Sequence, residues 1–143
     1  MMFNPVCRLK DKLKFIYEWS FDLDHVKVKG GESILNKITI YMGRTQAGND
    51  HIITECEGRK HDALWFHLAN ETSAHAILYT DGFIPLQDKI KAAKWIQTEL
   101  TKKKDDDVMI CTLADIEKTS TLGLVHVKNE VLMSDSTWTN KMK

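Results

Sequence analysis

Four histidines, His51, His61, His67 and His75, fall within a stretch of 25 residues. A neutral imidazole both donates and accepts hydrogen bonds and titrates near neutral pH, so such a cluster suits acid–base catalysis, metal ligation or hydrogen bonding to nucleotides. His67 and His75 flank the tip of an expected hairpin and can converge there. A ribonuclease would use them as general acid and base, but no carboxylate stands ready to orient the base, so no enzymatic activity is expected. Zinc wants three or four ligands; Cys56 and Asp62 lie near, yet no ligand spacing repeats, and no metal or other cofactor is expected. The commoner fate of a lone histidine is a structural hydrogen bond, which at least one of the four should make.

Recognition of single-stranded RNA requires flat rings for stacking and cations for phosphates. Arg44, Arg59, Lys60, Trp65 and Phe66 supply both types in one stretch, although at least one of the two aromatic residues must face a core. Other sharp motifs are absent: there is no phosphate-cradling glycine loop and no serine in a nucleophile elbow. Cys7, Cys56 and Cys111 are too far apart for a zinc knuckle and too few for a disulfide framework, so buried, reduced thiols are expected.

The 143 residues suit one domain, and 43% hydrophobic with 28% charged residues excludes a disordered chain. Twenty basic and twenty acidic residues cancel, which argues against strong non-specific binding to nucleic acid and requires any basic groove to be local. Residues 1–14 carry Arg8, Lys10, Lys12 and Lys14 against Asp11, whereas residues 105–143 carry four lysines against seven acids. No apolar run reaches the ~20 residues of a membrane span, and the N-terminus lacks a secretion-signal stretch, so no membrane insertion and a cytoplasmic location are expected.

These side chains need elements to hold them. Phe15, Tyr17, Trp19, Phe21 and Leu23 alternate with polar residues as in a half-buried strand, followed by a turn at Gly30-Gly31. Ile38 to Met42 reads as a strand stopped by Gly43. Thr45 is the N-cap of a short helix to Ile53. Ala63–Leu68 and Ala74–Tyr79 form a hairpin around the polar turn Asn70-Glu71-Thr72-Ser73. Pro85 to Lys103 is a long helix with Leu86, Ile90, Ala93, Ile96 and Leu100 on one stripe, Pro85 in its first turn and Lys102-Lys103-Lys104 at its end. A strand from Val108 to Leu113 follows, then a hairpin of Leu122–Val127 with Val131–Met133, turning at Lys128-Asn129-Glu130. The expected fold is α+β: a single domain over residues 1–143, mainly antiparallel sheet with one long and one short helix.

Within that frame the sequence resembles the NFACT-R (NFACT RNA-binding) domain family, in its single-domain form, the coiled-coil-domain-containing-25-like branch. The resemblance rests on Tyr41-Met42-Gly43-Arg44, Asn49-Asp50, Asp62-Ala63-Leu64-Trp65-Phe66-His67 and Ser73-Ala74-His75-Ala76-Ile77-Leu78. It continues through Ala92-Ala93, through Ile110 to Lys118 and through Gly123-Leu124-Val125-His126-Val127, covering a core of residues 38–134 beyond an N-terminal strand region, 1–37. It implies an RNA-binding module of translation quality control, acting on tRNA or rRNA, or at the ribosome. Together with the cations and rings singled out above, it gives the residues expected to bind nucleic acid: Arg44, Asn49, Arg59, Lys60, Trp65, His67, Ser73, His75 and Lys118. Arg44, Arg59, Lys60 and Lys118 would contact phosphates, His67 and His75 would fix or contact the backbone, and Asn49 would hold a turn or a base edge. Three or four phosphate contacts on a single strand would give a salt slope of roughly 2–3 in magnitude. A protein-interaction module docking on a large complex is the alternative that near-zero net charge favours. DNA binding, as in a single-domain relative, is a variant of the first reading.

Overall fold

The computed structural model describes the backbone of residues 6–8, 16–27 and 33–143, with side chains for 16–20 and 36–143. Strand β1 (Val6–Arg8) is followed by two long strands, β2 (Ile16–Lys27) and β3 (Ser33–Gly43), which pair antiparallel. Helix α1 (Gln46–Glu55) and a 3₁₀ turn at Glu57–Arg59 lead into β4 (Ala63–Leu68) and β5 (Ala76–Asp81). Helix α2 (Leu86–Leu100), β6 (Val108–Thr112), β7 (Ile116–Lys118), β8 (Val125–Val127), β9 (Val131–Leu132) and a 3₁₀ helix at Trp138–Met142 complete the order. Among the described residues seven strands form one sheet in the order β1-β2-β3-β5-β4-β6-β9, every pairing antiparallel. The expected α+β domain, mainly antiparallel with one long and one short helix, is the observed one.

Both faces of the sheet are covered. Trp19, Ile38, Ile40, Phe66, Leu78 and Ile110 point toward α2 and the C-terminal 3₁₀ helix, packing on Ala93, Ile96 and Trp138. Ile16, Tyr41, Trp65, Ile77 and Cys111 point the other way, toward Ile52 and Ile53 of α1 and toward Leu113. A strand buried on both faces loses the polar alternate of a half-exposed one, which explains the unbroken run Ala63-Leu64-Trp65-Phe66.

Thr45 caps α1 as expected, its Oγ1 accepting the Gly48 N–H at 3.0 Å. Three expectations need correction. Pro85 is the N-cap of α2 rather than part of its first turn, and Leu86 at the start of the expected stripe is 39% exposed. The helix ends at Leu100, where Lys102 pairs with Glu99 at 2.6 Å. Finally, β8 and β9 do not form a hairpin. β8 pairs with β7 in a separate two-stranded sheet, and β9 adds to the edge of the main sheet against β6. Asn129, at a left-handed φ of 54°, redirects the chain between these two sites. The Gly30-Gly31 turn and the side chains of Phe15, Phe21, Leu23 and the early cations Arg8, Lys10, Lys12 and Lys14 lie outside the described residues.

Among the described residues no helix is long and apolar enough to cross a membrane.

Candidate functional site

The register of the β4–β5 hairpin brings the histidines together. Trp65 pairs with Ile77 and Phe66 with Ala76, so His67 and His75 stand opposite one another one step further on, on the Trp65 face. Directly opposed side chains on one face sit about 5 Å apart at Cβ, and a diagonal neighbour remains within reach of a large ring. The two imidazoles accordingly meet edge-to-face at 5.0 Å, and the Trp65 ring lies parallel to His67 at 5.5 Å. Diagonally, the Trp65 indole Nε1–H donates to Nδ1 of His75 at 3.2 Å.

These hydrogen bonds fix both tautomers. With its Nδ1 accepting from the indole, His75 carries its proton on Nε2. His67 is the reverse: its Nδ1 lies 2.6 Å from the carbonyl oxygen of Leu68 and donates to it, leaving Nε2 as an acceptor. Neither Nε2 makes a hydrogen bond among the described residues. Burial holds both rings neutral. It lowers the His67 pKa against the opposing bond to Leu68, and together with the neighbouring His67 it brings His75 down to about 3.

A clamp on the His75 backbone sets this geometry. Its N–H donates to Oδ1 of Asn49 at 2.9 Å, and its carbonyl accepts the Gly43 N–H at 3.0 Å. Asn49 reaches that point because Gly43 has no side chain: a Cβ there would stand 2.0 Å from Asn49 Oδ1 and 2.6 Å from its backbone nitrogen. Ser73 closes the loop before His75, with Oγ accepting from the Leu68 N–H at 3.1 Å and donating to the Ala74 carbonyl at 2.9 Å. Gly43, Asn49, Trp65, His67, Ser73 and His75 are thus one connected unit. Asn49, 8% exposed, holds a turn in it.

Trp65, His67 and His75 of that unit floor a cavity of about 490 Å³. Gln46 and Asn49 of α1 form one wall, residues 68–73 another, and residues 121–125 a third. Leu122 and Leu124 on the last wall are 51% and 58% exposed, a signal that sequence periodicity did not reveal. Gly123, at φ 78°, lies against the Cβ of Gln46, so this third wall rests on the start of α1. Glu71 is the charged residue among the lining side chains. Lys104 stands at the rim, its Nζ donating to the Thr72 carbonyl at 2.7 Å.

The four expected phosphate ligands do not join this cavity. Arg44 is exposed and lies 4.7 Å over the Tyr17 ring. Lys118 is held by Asp50 at 3.1 Å and by Thr54, tying β7 to α1. Arg59 pairs with Asp81, donates to the Thr80 carbonyl at 2.8 Å and covers the Tyr79 ring, at the opposite end of the hairpin. Lys60 is exposed and lines a different depression with Lys118 and Glu117. The rings and the cations therefore do not share a single groove. Among the described residues no three His, Cys, Asp or Glu side chains gather as a metal site requires. Cys56 and Cys111 are buried thiols, and burial pushes Cys111 up to about 12.

No protein-family model matches the chain, and no curated relative does. Among solved structures, the chain is similar to the C-terminal of the fibronectin/fibrinogen-binding protein from Streptococcus suis, with a TM-score of 0.53 and 19% identity over 67% of this chain. It covers 39% of that neighbour's length, and at such identity the likeness shows a shared fold alone.

Proposed function

We propose that this chain is a non-catalytic RNA-binding domain that seats one unpaired nucleotide in the Trp65–His67–His75 cavity. The observation that carries this reading is the complementary pair of neutral imidazoles on the cavity floor, one Nε2 accepting and the other donating. A nucleobase edge presents the matching alternation of donors and acceptors, and the apolar walls Leu122 and Leu124 suit its ring faces. The same groups suit catalysis poorly. His75, with a pKa of about 3 and its Nδ1 engaged by Trp65, is a weak base near neutral pH.

Without a cation on its wall, the cavity reads bases, and phosphates would be met at its rim by Lys104. Base contacts specify while phosphate contacts position, so binding is modest in affinity and selective for unpaired strands. The NFACT-R resemblance motivates tRNA or ribosomal RNA as the target, a role in translation quality control and a cytoplasmic place of work. Titrating tRNA, short unpaired RNA and a duplex of equal length at low salt tests this: unpaired strands should bind, and no binding at all removes the proposal. Unpaired DNA of the same sequence shows whether the ribose hydroxyl matters.

A second reading is favoured by the exposure of Leu122 and Leu124 at the mouth: the cavity takes an apolar side chain of a protein partner. Partners captured from a lysate that survive nuclease treatment would favour it over the first.

A further inference from the structure

A second cleft, of about 420 Å³, opens at the other end of β4, where Arg59, Lys89 and Lys141 line the wall with Lys143 and His61. From Ala63 at this end to His67 is four strand steps, about 13 Å. The clefts also differ in most of their lining: Leu64, Leu78 and Met142 of the α2 side line this one, and Trp65, Met109, Val125 and Val127 of the α1 side line the first. Asp62 is the acidic side chain on its wall, Lys143 adds no net charge to it, and Asp81 offsets Arg59 from outside the lining. Lys89 donates to the Met142 carbonyl at 3.3 Å, which neutralises no charge. Lys141 has no carboxylate partner among the described residues. Thr80 and Thr112 add hydroxyls.

In a chain of zero net charge this local excess is placed, not inherited from a basic composition. A concave wall of one sign concentrates field lines and draws a counter-ion. We propose that this cleft binds a phosphate group. Lys89 and Lys141 supply charge, Arg59 supplies the guanidinium donors that Asp81 and Thr80 leave over, and the threonine hydroxyls complete the oxygen contacts. The phosphate comes either from a free monoester or from a phosphodiester of the strand whose base sits elsewhere on the domain.

Titration of the full chain with inorganic phosphate, referenced to sodium chloride at matched ionic strength, tests the site through the amide signals of Thr80, Gly82 and Thr112. These signals should shift saturably with phosphate and not with chloride. The double variant Lys89→Glu/Lys141→Glu should weaken binding about tenfold or more, with signals around His67 unmoved. Lys141→Gln alone, a milder surface change, should weaken it about threefold and serves if the double variant does not fold. An oligonucleotide with hydroxyl ends that moves the same amides identifies a phosphodiester; movement by inorganic phosphate and a nucleoside monophosphate alone identifies a monoester. Equal shifts with chloride, no saturable shift, or unchanged phosphate binding by a folded variant overturns the site.

Discussion

The Trp65 indole donates to Nδ1 of His75 at 3.2 Å from the neighbouring strand, and that one bond leaves Nε2 as the nitrogen of His75 that donates. Trp65 is 1% exposed, so the bond is sealed from water and the acceptor is buried with it. Trp65→Phe keeps most of the packing and removes the donor. It should cost about 1–3 kcal/mol, because a buried acceptor is left unpaired, and it frees His75 to change tautomer. Urea unfolding gives the stability loss, and the nitrogen shifts of the His75 ring give the tautomer.

Gly43 and Gly58 should respond in opposite ways to a methyl group. At Gly43 the added Cβ collides with the side chain and backbone of Asn49, so Gly43→Ala should cost about 3 kcal/mol or more and loosen His75 with it. Gly58 has nothing within 4 Å of its Cβ position, and Gly58→Ala should be neutral or gain about 0.5 kcal/mol. Thermal and urea unfolding of the two variants side by side checks the contrast.

Stability should fall as pH drops below the ordinary histidine range. Burial depresses both His67 and His75, so between about pH 6.5 and their folded values the unfolded chain binds protons that the folded one refuses. Their contribution is complete above pH 6.5 and is lost progressively below it, His75 continuing toward its folded value of about 3. Between pH 6.5 and 5 His75 alone should account for about 2 kcal/mol of loss. Asp106 and Asp135, whose pKa values are lowered by hydrogen bonds from Asn70 and Thr137, add their loss only at more acidic pH. Urea midpoints across this range should slope less for His75→Phe than for the parent chain.

Salt should separate base contacts from phosphate contacts. With Lys118 held by Asp50 and Arg59 at the opposite end of the hairpin, one or two phosphate contacts remain at the cavity rim, and for an unpaired strand short enough to reach that rim alone the salt slope should be near 1 in magnitude instead of the 2–3 the sequence suggests. Lys104→Ala should reduce that slope by about 0.7. His67→Ala should weaken binding at every salt concentration and leave the slope unchanged. Fluorescence anisotropy with a labelled unpaired RNA measures both.

What could be read in advance followed local pattern. The alternation and turn residues placed β4, β5, α1 and its Thr45 cap, and the hairpin alone implied that His67 and His75 flank a common tip. Partner choice was less legible. Val131–Leu132 is two residues long, and a strand that short pairs wherever an open edge offers hydrogen bonds, here on β6 and not on its sequence neighbour. The long cations were least legible of all. Lys118 meets Asp50 across 68 residues of sequence and Arg59 meets Asp81 across 22, contacts that only the folded chain specifies. The role of Gly43 is likewise visible only once Asn49 is seen occupying the space its side chain would need.

The most direct measurement follows the ring signals of His67 and His75 while unpaired RNA is added at low salt. Both imidazoles should shift saturably with the same dissociation constant as the bulk binding curve, and a duplex of equal length should leave them unmoved. RNA that binds the chain without perturbing either ring would contradict the assignment of the cavity.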